Sequence, residues 1–264
     1  MPLPPTDKCG AGAPAREHAS PVSAVWPRGP LRPQLAPDDL HLWLLHSPDL
    51  AGQVPHLQSL LSAHELARAA RFHFPKDRDA YIVRHGVLRL LLSRYLQNDP
   101  AKLEFRYSRR GKPMLSSGSL HFNGSHSGDF VLYAITAACP IGVDIENARP
   151  IPDFDAIAAN YFSPREVATM RALSHEMRML AFYTAWTRKE AFLKATGEGI
   201  GESLAKVEVT LSPDEEPEIL SIPGDAKARA EWKLKAFAPA PGYLAAAAFR
   251  HSDLKLSAWN VSST

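Results

Sequence analysis

Apolar and polar positions along this chain fall into short runs of strand period and longer stretches of helical period. The first clear run begins at Leu40, where His41-Leu42-Trp43-Leu44-Leu45 predicts a strand. Ser62-Ala63-His64-Glu65 has the form of a capping box, in which the Ser and Glu side chains each satisfy a free amide at a helix start. The helix it opens carries Arg68 and Arg71 three positions apart, on one face. A longer helix is predicted from roughly Arg78 to Leu96, with Val83, Val87, Leu90 and Leu91 as its apolar stripe. Asn98-Asp99-Pro100 ends it. Leu103 to Tyr107 alternates as a strand does, and Arg109-Arg110-Gly111-Lys112-Pro113 makes a basic turn. Phe130–Ala137 and Ile141–Glu146 read as two strands joined by a short turn.

The pattern then repeats in kind. Ser163-Pro164-Arg165-Glu166 is a second capping box with proline at the first helical position. A long helix follows from roughly His175 to Thr196, closed by Gly197. Four strand-like runs end the chain, Val207–Leu211, Glu231–Phe237, Tyr243–Phe249 and Leu254–Trp259. The fold class expected is α+β, in two halves covering residues 38–142 and 143–264. No internal repeat is visible by residue identity. Residues 1–37 are rich in proline and lack an apolar period, so they are expected to be a disordered or surface-draped leader.

The 264 residues, 45% hydrophobic and 22% charged, exclude general disorder and a fibrous repeat. A net charge of +2 argues against a broad nucleic-acid footprint while leaving room for a local basic pocket. No stretch approaches the roughly 20 apolar residues of a membrane span, and the N-terminus lacks a secretory h-region. The two cysteines, Cys9 and Cys139, do not make a disulfide framework. A soluble, cytoplasmic protein is expected.

Three segments carry candidate chemistry. In Ile141-Gly142-Val143-Asp144-Ile145-Glu146, strand alternation sends Ile141, Val143 and Ile145 to the core and Gly142, Asp144 and Glu146 to the other face. The two carboxylates then lie about 6–7 Å apart, with open space beside them at Gly142. They form either a solvated strand face or an oxygen-rich site for Mg²⁺ or Mn²⁺. In the segment Trp186 to Lys194, the residues Phe182, Ala185, Trp186, Phe192 and Leu193 make one helical stripe, and Lys189 falls inside it. Lys189 therefore either snorkels or ends in a charged pocket. Glu190 and Lys194, four apart, are placed for a helical ion pair or for a shared site. Phe122-Asn123-Gly124-Ser125-His126-Ser127 is not a nucleophile elbow, because His126 stands where the serine belongs. It offers either a turn of hydrogen-bonding residues or donors for phosphate oxygens.

Taken together these segments resemble the 4′-phosphopantetheinyl transferase superfamily, in its large single-chain surfactin-synthetase-activating form. The family's G-[IV]-D-x-E strand is matched by Gly142 to Glu146, and its W-x-x-K-E-[AS]-x-x-K helix by Trp186 to Lys194. The upstream G-K-P and F-N-x-S-H-S segments are matched by Gly111-Lys112-Pro113 and by Phe122 to Ser127. The resemblance runs from about Leu40 to the C-terminus and leaves out the proline-rich leader.

What the resemblance implies is a fold of two similar α+β halves about a pseudo-twofold axis, with coenzyme A in the cleft between them. The implied activity moves the phosphopantetheine arm of coenzyme A onto a serine of an apo acyl or peptidyl carrier protein and releases adenosine 3′,5′-bisphosphate. Asp144, Glu146 and Glu190 match the family's metal triad for Mg²⁺ or Mn²⁺. Glu190 also matches the carboxylate that takes the serine proton, and Lys194 the lysine on the diphosphate. Arg68, Lys112 and His126 match contacts to the 3′-phosphate, adenine or diphosphate, Ser125 a contact in the same region, and Arg71 and Lys189 second contacts to coenzyme A. The segment between Glu146 and Trp186 is implied in carrier docking, and the enzyme is implied to act as a monomer in fatty-acid, polyketide or nonribosomal-peptide synthesis. Two alternatives stand beside this reading: a non-catalytic coenzyme A or carrier-protein binding module, and a metal-dependent phosphohydrolase using the same carboxylates.

Overall fold

A computed structural model describes residues 26–197, 204–212, 214–250 and 253–262. In chain order the first half contains β1 (Asp39–His46), α1 (Val54–Ser59), α2 (Ala63–Ala69), α3 (Pro75–Leu96), β2 (Phe105–Tyr107), β3 (Pro113–Leu115), β4 (His121–Ser127) and β5 (Phe130–Thr136). The second contains β6 (Ile141–Asn147), α4 (Phe154–Tyr161), α5 (Pro164–Arg171), α6 (His175–Thr196), β7 (Glu208–Val209), β8 (Ile219–Ser221), α7 (Ala228–Glu231), β9 (Lys233–Phe237) and β10 (Tyr243–Phe249). One more strand, β11 (Lys255–Asn260), closes the chain.

The two halves repeat one another. In the first, β1 pairs antiparallel with β5 and β5 with β4; in the second, β6 pairs antiparallel with β10 and β10 with β9. Both long helices, α3 and α6, have 22 residues. Both capping boxes form, at Ser62/Glu65 and Ser163/Glu166. In each, the glutamate does a second job. Glu65 Oε2 accepts from Arg89 Nη2 of α3 at 2.7 Å, and Glu166 Oε2 from Lys189 Nζ of α6 at 2.5 Å. Each cation also donates to backbone carbonyls, Arg89 to Pro100 and Leu103, and Lys189 to Leu204. Each lies over an aromatic ring, Phe105 or Phe162. The repeat is thus one of roles, with Arg exchanged for Lys, which identity alone does not reveal.

Several boundaries differ from those the pattern predicts. The junction expected between residues 142 and 143 falls inside β6, and residues 137–140 link β5 to β6. The second half does not keep its last strand, because β11 crosses back and pairs parallel with the outer edge of β1. Phe122–Ser127, for which a turn of hydrogen-bonding residues is one of two readings, lies in a full strand, His121–Ser127. Glu231–Phe237 divides into the end of α7 and β9. Of the leader, residues 1–25, with Cys9, lie outside the described residues. From Trp26 onward the chain lies along β11: Gly29 N–H donates to Asn260 O and Asn260 N–H to Pro27 O. Trp26 is buried, edge-on to Phe237.

The apolar core has three parts. One lies under α3 in the first half and includes Trp43, Leu57, Ile82 and Leu91. Another surrounds α6 and includes Phe162, Phe182, Phe192 and Val209. The third is shared, joining Leu40, Leu42 and Leu132 of one sheet to Ile141, Val143, Ile145, Ala247 and Phe249 of the other.

Candidate active site at the seam between the halves

The edge strand β4 of the first sheet lies beside β6 of the second, and side chains stitch them together. Period-2 alternation puts Asn123, Ser125 and Ser127 on one face of β4. Asn123 Oδ1 accepts from Val143 N–H at 2.9 Å. Ser125 Oγ donates to Asp144 Oδ1 at 2.7 Å, and Ser127 Oγ to Glu146 Oε2 at 2.7 Å. Ser127 Oγ also accepts from Asn147 N–H at 3.1 Å. Each acidic side chain of β6 is therefore aimed by a serine from the other half. Ser127 has no role in the sequence reading, although its spacing from Ser125 would have marked it once the segment was read as a strand.

Helix α6 packs directly on this strand, and Gly142 makes that possible. A Cβ built on Gly142 would stand 2.0 Å from Ala191 O and 2.3 Å from Ala195 N. The space expected to be open beside the carboxylates is filled by helix backbone. The run of alanines Ala245–Ala248 in the neighbouring β10 is buried and adds little bulk on this side. The close approach brings Glu190 and Lys194 to Asp144. Lys194 Nζ lies 2.6 Å from Asp144 Oδ1 and 2.8 Å from Ser125 Oγ. Of the two readings of Glu190 and Lys194, a helical pair or a shared site, the lysine's ion pair runs to Asp144 of the neighbouring strand, with Glu190 in the same charge cluster.

Glu190 is 2% exposed, and burial raises its carboxyl to about 7. Lys194 opposes the shift, while Asp144 and Glu146 add to it. Burial also raises Glu146, against the hydrogen bond from Ser127. Two carboxylate oxygens, Asp144 Oδ2 and Glu190 Oε1, are buried with no hydrogen-bond partner. Orphaned anionic oxygens inside a protein are costly, and a hard divalent cation suits such a donor pair. Among the described residues, however, no three His, Cys, Asp or Glu side chains are gathered closely enough to hold a metal ion. The expected three-carboxylate cage is not assembled: Glu146 is turned to Ser127, and Asp144 Oδ1 is taken by Ser125 and Lys194. The oxygens whose chemistry fits a metal are the two unpartnered ones, Asp144 Oδ2 and Glu190 Oε1, with Glu146 a charged neighbour of Glu190.

Ser125 also lines a cavity of about 330 Å³ in the first half, walled by Arg68, Tyr81, Arg84, His85, His126 and Tyr133 among others. Arg68 and His126 lie in its wall. Arg71 faces an adjoining open hollow with His64 and Phe72. The His126 imidazole is held below its ordinary value, by desolvation first and then by Arg84, Lys194 and His85. Arg84 and His85 were not singled out from the sequence. They sit one turn after Tyr81 on α3, and that helical spacing was the available signal; His85 stacks on Tyr81 at 3.8 Å.

Two residues that the resemblance puts on coenzyme A have other partners here. Lys189 is fully buried against Glu166, Leu204 O and the Phe162 ring on the far side of α6. A charge placed there balances the capping glutamate and cannot reach the cleft. The Lys112 ammonium turns away from the cavity and donates to the carbonyls of Ile141, Lys194 and Ala195.

Comparison with known proteins finds relatives for both halves of the chain. Residues 140–248 match the family model described as the 4′-phosphopantetheinyl transferase superfamily, and residues 49–138 match that of the 4′-phosphopantetheinyl transferase N-terminal region. The 4′-phosphopantetheinyl transferase HetI of Nostoc sp. is 37% identical over 228 residues, covering 85% of this chain and 93% of that protein. The 4′-phosphopantetheinyl transferase Sfp of Bacillus subtilis is 30% identical over 196 residues, covering 74% and 84%. A holo-(acyl-carrier-protein) synthase from Bacillus anthracis, solved with CoA (3′,5′-ADP), overlaps 43% of this chain and 96% of its own at 21% identity and a TM-score of 0.35. Among the described residues no helix is long and apolar enough to cross a membrane. On the strength of the long match to HetI and the paired family models, the chain belongs to the 4′-phosphopantetheinyl transferase superfamily.

Proposed function

We propose that this chain transfers the 4′-phosphopantetheine arm of coenzyme A to a serine of an apo acyl or peptidyl carrier protein. The observation that carries the reading is the pair of buried, unpartnered oxygens on Asp144 and Glu190, joined through Ser125 to a cavity walled by Arg68 and Arg84. Arginines and serine hydroxyls are suited to phosphate oxygens, so the cavity is read as the seat of the nucleotide end of coenzyme A. The acid cluster is then the seat of the diphosphate.

In the reaction the serine oxygen bonds to the phosphorus that carries pantetheine. The bond from that phosphorus to the bridging oxygen breaks, and adenosine 3′,5′-bisphosphate leaves with the electron pair. The serine proton goes to the Glu190 carboxylate. A base works best when its own pKa lies near the working pH; in the metal-free site burial holds Glu190 at about 7. Lys194, held on Asp144 and Ser125, presents its charge beside the diphosphate seat. Asp144 and Glu190 would hold Mg²⁺ or Mn²⁺, with Glu146 as the third donor; such an ion supplies charge neutralisation at the transferring phosphate.

The test is mass spectrometry of several apo carrier proteins incubated with enzyme, coenzyme A and Mg²⁺. A mass gain of one phosphopantetheine group is expected, and none in EDTA. No gain across fatty-acid, polyketide and peptide carriers would reject the transfer. Release of adenosine 3′,5′-bisphosphate without a carrier would favour a phosphohydrolase.

A further inference from the structure

The last four carbonyls of a helix have no partner inside it. In α6, Leu193 O accepts from Gly197 N–H and from Thr196 Oγ1. The next two are capped from the other half of the molecule. Lys112 Nζ lies 2.5 Å from Lys194 O and 3.3 Å from Ala195 O. Its third contact, at 3.0 Å, is Ile141 O, where β6 begins. An ammonium has three protons, and these carbonyls account for all of them. A cation at this position also meets the negative end of the helix dipole.

The placement of Lys112 gives the contact its consequence. It sits in the turn between β2 and β3, and its neighbours Gly111 and Pro113 wall the cavity. One side chain therefore ties three parts together: the cavity wall, the strand bearing Asp144 and Glu146, and the helix bearing Glu190 and Lys194. Lys194 is gripped at both ends, its carbonyl by Lys112 and its ammonium by Asp144 and Ser125.

We propose that Lys112 is a positioning residue for the transfer reaction. It caps the end of α6 from across the cleft and fixes the distance between the cavity and the acid cluster, without binding a phosphate. This rests on the transferase reading above.

The test uses the full chain with Lys112→Met and Lys112→Arg. Three quantities are measured: steady-state rates, calorimetric affinity for coenzyme A and for dephospho-coenzyme A, and hydrogen exchange in the last turn of α6. A small misplacement of reacting groups costs on the order of 100-fold in rate, and a kcat loss of that order is expected for Lys112→Met. Exchange in the last turn of α6 should quicken while that of α3 holds. Coenzyme A and dephospho-coenzyme A should lose affinity by the same factor. In Lys112→Arg a planar fork replaces the compact ammonium, so exchange and kcat should fall between the other two proteins. A tenfold greater loss for coenzyme A than for dephospho-coenzyme A would make Lys112 a phosphate ligand and overturn the proposal. So would unchanged exchange and kcat, or full restoration by arginine. If Lys112→Met does not fold, the arginine variant's exchange and affinity ratio decide. If the wild-type protein modifies no carrier, the transferase reading fails, and the exchange data still decide whether Lys112 caps α6.

Discussion

Glu190 has two like-charged neighbours, one cationic neighbour and almost no water. Its carboxyl stands at about 7 in the folded protein against 4.5 in the unfolded chain. A raised carboxyl contributes stability that is complete below about pH 4.5 and is lost as pH rises through 7. The metal-free protein should therefore weaken across that window, by about 3 kcal/mol at pH 8. Glu190→Gln should flatten the slope in urea titrations run in EDTA between pH 4.5 and 8, and should remove most of the turnover. A variant as pH-sensitive as the wild type would show that the charge on Glu190 is not what folding resists. Arg68 acts differently. It is exposed on the cavity wall, a lobe away from Glu190, so Arg68→Ala should raise KM for coenzyme A about tenfold or more while sparing kcat, as loss of uniform binding does.

At the scale of elements, Gly142 governs how closely α6 sits on β6. Gly142→Ala would drive a methyl into Ala191 O and Ala195 N, which are backbone atoms and cannot rotate aside. Overpacking costs about 1–3 kcal/mol even where side chains can adjust, so a loss at the upper end is expected in thermal melts, with most of the activity. Gly52, which has nothing within 4 Å, is the control, and Gly52→Ala should leave both unchanged. The duplicated ion pairs make a second prediction at this scale. Removing one partner of a buried pair costs about 3–5 kcal/mol, because the other charge is left without compensation. Lys189→Met should destabilise by that amount through Glu166, yet leave KM for coenzyme A unaltered at temperatures where the variant is folded. A raised KM would return Lys189 to the binding site.

At the scale of the molecule, the halves are not independent. They share the apolar layer of Leu40, Leu42, Ile141, Val143 and Phe249, the polar seam of β4 and β6, and the chain's own return through β11. Unfolding should be a single transition, with circular dichroism and tryptophan fluorescence coincident; the tryptophans report on both halves, Trp43 and Trp259 in one and Trp186 and Trp232 in the other. Two resolved transitions would mean that the seam is too weak to set the site. Removing β11 should lower stability in both halves at once.

Much of this was present in the order of residues. Both capping boxes, the extent of α6 and strand β10 follow from local period and end signals, because those depend on neighbours within one or two turns. The acidic strand and the lysine-bearing helix stand out as candidate chemistry for the same reason: their motifs are contiguous. Contacts between distant segments were not. Nothing near Gly142 tells that a helix backbone will rest on it, and nothing near Lys112 or Lys189 tells that each ammonium will be spent on the end or the start of a helix. The sequence by itself determined which groups can carry charge, donate protons and begin or end an element. Only the tertiary structure decided which charge meets which partner and how much water remains around Glu190, since burial and pairing are properties of segments far apart in the chain and brought together by the core.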